Sequence, residues 1–249
     1  MNRLANKSLC SVQNGPFFLA LCALLAPQLS SATPIRMAVL GDSISAGSGV
    51  SGGSPNWVAQ LIPTGAITFQ NKAVGGATSS TVVSGQLASV VTLAQNHQID
   101  DATLIIGGND ATAAALGIAQ GGSATTFINT YVNNVKNVIN SVATANPGVH
   151  QVFGNMPDVT VTPEVQSLAA SAGVTPVQLA LVSAAIATAN AQADQYALAH
   201  GVPVLDLYSV SRAIVTEIPL TLGGHTFTTA FAPDQFHPAP FLQGLLANL

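Results

Sequence analysis

Charge is what this chain has least of. Six Lys and Arg and ten Asp and Glu are spread over 249 residues. Beyond residue 32 the only bases are Arg36, Lys72, Lys136 and Arg212. Four scattered cations cannot build a basic patch, which argues against nucleic acid or an anionic membrane surface as partner. Cysteine is almost absent too. Cys10 and Cys22 both fall in the first 32 residues, so the rest of the chain must fold without disulfides. Aromatic residues make up 5%, leaving Ala, Val, Leu and Ile to fill the core. No His, Cys, Asp and Glu cluster has metal-ligand spacing, and no Gly-Lys-Ser/Thr phosphate loop occurs, so neither metal nor cofactor is expected.

A long hydrophobic run is missing as well. The longest, Phe17 to Ala26 between Pro16 and Pro27, is too short to span a bilayer. It follows Arg3 and Lys7 and precedes Ser30-Ser31-Ala32, the layout of a secretory signal peptide cut after Ala32. The expectation is therefore a leader over residues 1–32, a single domain over 33–249, and a secreted or periplasmic protein that works as a monomer.

Strand and helix patterns alternate along that domain. Short apolar runs at Ile35–Leu40, Ala66–Phe69, Ala102–Ile106, Val149–Phe153 and Val202–Leu205 read as five strands, the first suited to burial. Helical spacing recurs at 56–62, 81–95, 127–145 and 176–200, with Asn146-Pro147-Gly148 as a stop, and a last short helix starts near Pro240. The stretch 218–229, broken by Gly223-Gly224, reads as a hairpin or extended loop. Such alternation predicts an α/β fold with a parallel sheet, its active groups beyond the carboxyl ends of the strands.

Several polar residues stand at those ends. Ser43 follows the first strand, where a nucleophile on a strand-to-helix turn would sit, although Asp42-Ser43 also suits an ordinary helix cap. Gly47-Ser48-Gly49-Val50-Ser51-Gly52 matches the dinucleotide-binding pattern, but it begins late and no acid lies between Asp42 and Asp100. It reads as a loop. Nor does Ser43 occupy a Gly-x-Ser-x-Gly elbow. Asp234 and His237 are three apart, which on one helical turn would put both on one side. The carboxylate could then orient the imidazole toward a serine. His225 is the reserve base, while His97, His150 and His200 sit at element ends. Asn109 follows the third strand and could donate to an oxyanion, and Gly76 after the second could add a backbone amide. Asp110 is expected to cap the next helix, and Asp158 and Asp206 to be structural. Phe227, Phe231 and Phe236 are either core or an apolar wall of the site.

Four strings taken together resemble the SGNH/GDSL hydrolase family: Gly41-Asp42-Ser43, Val74-Gly75-Gly76-Ala77-Thr78, Gly107-Gly108-Asn109-Asp110 and Asp234-Gln235-Phe236-His237. They run in the family's order and bracket nearly the whole domain. The resemblance implies a flavodoxin-like three-layer αβα sandwich around a five-stranded parallel sheet. It also implies ester hydrolysis, with Ser43 as nucleophile, His237 as base and Asp234 as its orienting acid. The oxyanion hole would be the amides of Ser43 and Gly76 with the Asn109 side chain, Gly75 being the alternative to Gly76. The last helix is short for the family. Lipid, acylated-sugar and other small esters are all admissible substrates. The rival reading is a non-catalytic sugar- or lipid-binding domain on the same fold.

Overall fold

The strands alternate in what they face, and that sets the architecture. The computed structural model describes residues 34–50, 56–61, 67–216 and 230–247. In β1 (Ile35–Gly41), Ala38 and Leu40 enter one apolar cluster while Met37 and Val39 enter another. β3 (Asp101–Ile105) does the same, with Ala102 and Leu104 on one side and Ile105 on the other. A strand buried on both faces needs helices on both, the arrangement of parallel sheets.

β2 (Ile67–Asn71), β4 (His150–Gly154) and β5 (Val204–Leu205) complete a sheet of order β2-β1-β3-β4-β5. Every pairing is parallel, with Val39 opposite Asn71 and Gly41 opposite Ile105. This is the flavodoxin-like strand order, and its switch point lies between β1 and β3. The expected five strands are present, each shifted by a residue or two at its ends.

On the first face lie α3 (Ser79–Thr81), a π-helical turn (Val82–Gln86), α4 (Leu87–Gln95), α5 (Gly108–Ala119), α6 (Thr125–Ala145) and α8 (Pro176–Ala199). The apolar stripe of α6 is buried through Phe127, Tyr131, Val135, Val138 and Val142. It packs on α8, whose buried Ala185, Ala189, Ala193 and Ala197 let the two helices approach. Thr175 and Gln178 form a capping box around Pro176, the first helical residue, fixing where α8 begins. The helix expected over 81–95 is thus interrupted by a π turn near its start.

The opposite face carries α2 (Trp57–Gln60), α9 (Leu207–Thr216) and α10 (Pro240–Leu246), where Trp57, Val58, Leu207 and Leu246 pack over Val39 and Ile105. α1 (Ser43–Ala46) and α7 (Pro163–Ser171) are short and lie near the strand ends. The leader over 1–32, the hairpin over 218–229, His225 and Phe227 lie outside the described residues. Among the described residues no helix is long and apolar enough to cross a membrane.

Candidate active site

β1 ends at Gly41, a position that only glycine fits. A Cβ would lie 2.3 Å from the Ile105 carbonyl oxygen, and the φ of +151° suits only glycine. The chain turns at once into α1. Asp42 caps it by accepting from the Ile44 amide at 3.0 Å, and Ser43 takes the first helical position, 6% exposed. The far end of α1 is pinned by Asn56 and Asn71, whose side-chain amides donate to the Ser45 carbonyl at 3.0 and 2.8 Å.

The partner loop comes from the other end of the chain. Phe231 bridges Pro238, the Ala232 amide donates to the His237 carbonyl at 2.8 Å, and Gln235 adopts a positive φ. Asp234 and His237 therefore meet in a tight loop rather than on the helical turn expected from their spacing. Asp234 Oδ1 accepts from the amides of Phe236 and His237, each at 3.0 Å, and Oδ2 lies 2.6 Å from His237 Nδ1. Burial pushes the Asp234 carboxyl up, but the bonds from His237 and these amides outweigh it and leave it below the usual range. His237 Nε2 in turn lies 2.7 Å from Ser43 Oγ. The hydroxyl, imidazole and carboxylate form one continuous chain. Gly49 makes the closure sterically possible, since a Cβ there would come within 2.7 Å of His237 Cβ. The glycine-rich stretch after α1 thus gives the histidine loop room to approach, a use its spacing did not reveal.

The second and third strings meet beyond the ends of β2 and β3. Gly76 has a φ of +78°, and Asn109 Nδ2 donates to the Ala77 carbonyl at 2.9 Å, leaving its second amide proton free of any partner among the described residues. Asp110 does not cap α5, whose first position follows Gly107 without a side-chain cap. Its Oδ2 instead accepts from the Ser79 amide at 2.8 Å and its Oδ1 from the Ser79 hydroxyl at 2.6 Å. Asn134 Nδ2 donates to that hydroxyl at 2.9 Å. Asn109 and Asp110 therefore clamp the segment that carries Gly76. The serine, glycine and asparagine strings are thereby gathered at the carboxyl ends of β1, β2 and β3. His97, His150 and His200 are held at peripheral sites by Asn146, Asp101 and the Tyr196 carbonyl.

Two further acids earn structural roles. Asp158 is fully buried, accepting from Thr160, Ser183 and Arg212 at 2.6, 2.6 and 2.8 Å. Asp206 accepts from Asn155 and the Ser209 amide at 3.2 and 3.0 Å. Asp42 is different: burial pushes its carboxyl up to about 6, opposed in part by the Ile44 amide and by His237. Beside the Ser43–His237–Asp234 chain lies an apolar cavity of about 90 Å³, lined by Ile44, Val210, Phe231, Phe236, Pro238 and Leu242. Phe231 and Phe236 are half-buried and contribute to that wall. Among the described residues no three His, Cys, Asp or Glu side chains gather as a metal site.

A serine hydroxyl bonded to an imidazole that is itself held by a carboxylate can lose its proton as it attacks an electrophile. Solved structures share the fold. A lipase from a goat rumen metagenome aligns over 86% of this chain and 94% of its own, with 14% identity and a TM-score of 0.63. Phospholipase A1 from Streptomyces albidoflavus NA297 aligns over 87% and 100%, with 20% identity and a TM-score of 0.55. An acetyl xylan esterase aligns over 86% and 96%, with 14% identity and a TM-score of 0.57. No curated protein sequence matches the chain. The family model for the GDSL-like Lipase/Acylhydrolase family matches residues 39–240, a span running from β1 through the histidine loop to the start of α10. The chain belongs to that family.

Proposed function

We propose that this protein is an exported serine esterase that cleaves carboxylic esters through an acyl-serine intermediate. The observation that carries the proposal is the unbroken contact from Ser43 Oγ through the His237 ring to Asp234, at 2.7 and 2.6 Å. Ser43 Oγ attacks the ester carbonyl as its proton passes to His237 Nε2. The resulting oxyanion is received by the Ser43 and Gly76 amides and by the free Asn109 Nδ2 proton. As the intermediate collapses, His237 returns the proton to the departing alkoxide and the acyl group stays on Ser43. Water then repeats the sequence, giving its proton to His237 and releasing the acid. Asp234 keeps the imidazole in the required tautomer and stabilises its positive charge.

The apolar cavity next to Ile44 and Phe236 supports an apolar group on one side of the scissile bond. Export rests on the leader-like layout of the first 32 residues, and with few charges the surface suits a neutral ester better than a polyanion. The test is Ser43→Ala. It should abolish hydrolysis of a simple aryl ester and labelling by a fluorophosphonate while leaving the circular-dichroism spectrum unchanged. Retained turnover in that variant would remove the proposal.

A further inference from the structure

Gly41 poses a problem that the triad itself does not solve. It stands two residues before the nucleophile and, lacking a side chain, has a backbone that is not confined by a Cβ. Its partner strand has already run out, since the last β1–β2 ladder pair is Val39 with Asn71. On that side its peptide groups have no strand to bond.

Gln86 fills the gap. Its Oε1 accepts from the Gly41 amide at 2.9 Å, and its Nε2 donates to the Gly41 carbonyl at 2.8 Å. The Val74 amide joins the same carbonyl at 3.1 Å. A side-chain amide thus pairs with Gly41 as a neighbouring strand's peptide would. Gln86 is 5% exposed and closes the π turn Val82–Gln86. One residue of helical register is worth about 100° of rotation, so a regular α-helical path would aim this side chain elsewhere. Inserted π turns tend to be kept where a side chain must be redirected at a working site.

We infer that Gln86 is a positioning residue for the nucleophile: it fixes the Gly41 peptide and, through Asp42, the placement of the Ser43 hydroxyl and amide. The inference rests on the esterase reading above. Because the Ser43 amide and Oγ matter most in the transition state, loosening them lowers kcat and leaves substrate binding nearly unchanged. Displacement of a reacting group by about 1 Å can cost on the order of 100-fold.

The experiment compares wild type with Gln86→Met, which keeps the length and removes both bonds, and Gln86→Glu, which keeps the acceptor. Steady-state kinetics on an aryl ester and the rate of fluorophosphonate labelling are measured well below each protein's melting temperature. Expected are a fall in kcat and labelling rate of about 10- to 100-fold for the Met variant, with KM within about twofold. The Glu variant should fall between. If the Met variant does not fold, the Glu variant alone decides. Lower melting temperatures with kcat and labelling unchanged would reduce Gln86 to a structural bond and overturn the inference. Wild-type turnover separates the two readings: an inert wild type removes the esterase proposal and this role with it, whereas an active wild type matched by its variants removes only this role.

Discussion

Asp42 offers the sharpest quantitative test of the site. It is 2% exposed, and burial raises its carboxyl from an ordinary 3.8 to about 6. A folded-state value above the unfolded one means that the native protein binds this proton more tightly. Its contribution to stability is therefore fully present below about pH 4 and is lost as the pH rises through about 6. A shift of roughly two units corresponds to about 3 kcal/mol between those limits. Asp42→Asn keeps a cap that can accept from the Ile44 amide and removes the charge. Relative to wild type, the variant should gain up to about 3 kcal/mol between pH 4 and pH 7.5, or ~6–12 °C in Tm for a domain of this size. Thermal melts of both proteins at several values across that window give the difference directly. Parallel curves, or a variant that loses ground as the pH rises, would refute the claim that an ionised Asp42 is held at a cost. Should the variant also turn over more slowly, that cost would be tied to the electrostatic contact with His237.

Two other outcomes follow from the geometry. Asn109→Ala should lower kcat by about 10²- to 10³-fold with KM little changed, because on the proposed mechanism the lost donor serves the oxyanion; steady-state kinetics on an aryl ester checks it. Gly41→Ala should destabilise the fold severely, since its methyl group meets the Ile105 carbonyl at 2.3 Å in a backbone conformation that alanine avoids. A urea melt with an unchanged midpoint would contradict that reading.

The alternation of short apolar runs with helical spacing was enough to find the five strands, because the central strands β1 and β3 bury both faces and so carry apolar runs such as Met37–Leu40 and Leu104–Ile106. The four strings likewise marked the residues that the fold gathers at the strand ends. What escaped depended on partners far away in the chain. α5, α7 and α9 are absent from the helical spacing read in the sequence; α9 turns Leu207, Val210 and Ile214 toward the cavity. Asp110 reads as a cap for a following helix because the sequence does not show Ser79 reaching it from 31 positions away. The spacing of Asp234 and His237 fits a helix and a tight loop equally well, and the bridge from Phe231 to Pro238 decides for the loop. Gln86 is one of several polar residues between Val82 and Gln95, and its use appears only once the π turn aims it at Gly41.

The hydroxyl and its imidazole are separated by 194 positions, one just past the first strand and the other just ahead of the final helix. A polypeptide still being threaded out of a channel, or clipped ahead of Pro233, could carry a nearly finished sheet and still lack a working nucleophile. On the proposed mechanism chemistry would be withheld until the last stretch has docked, and the appearance of hydrolytic activity would date the end of assembly.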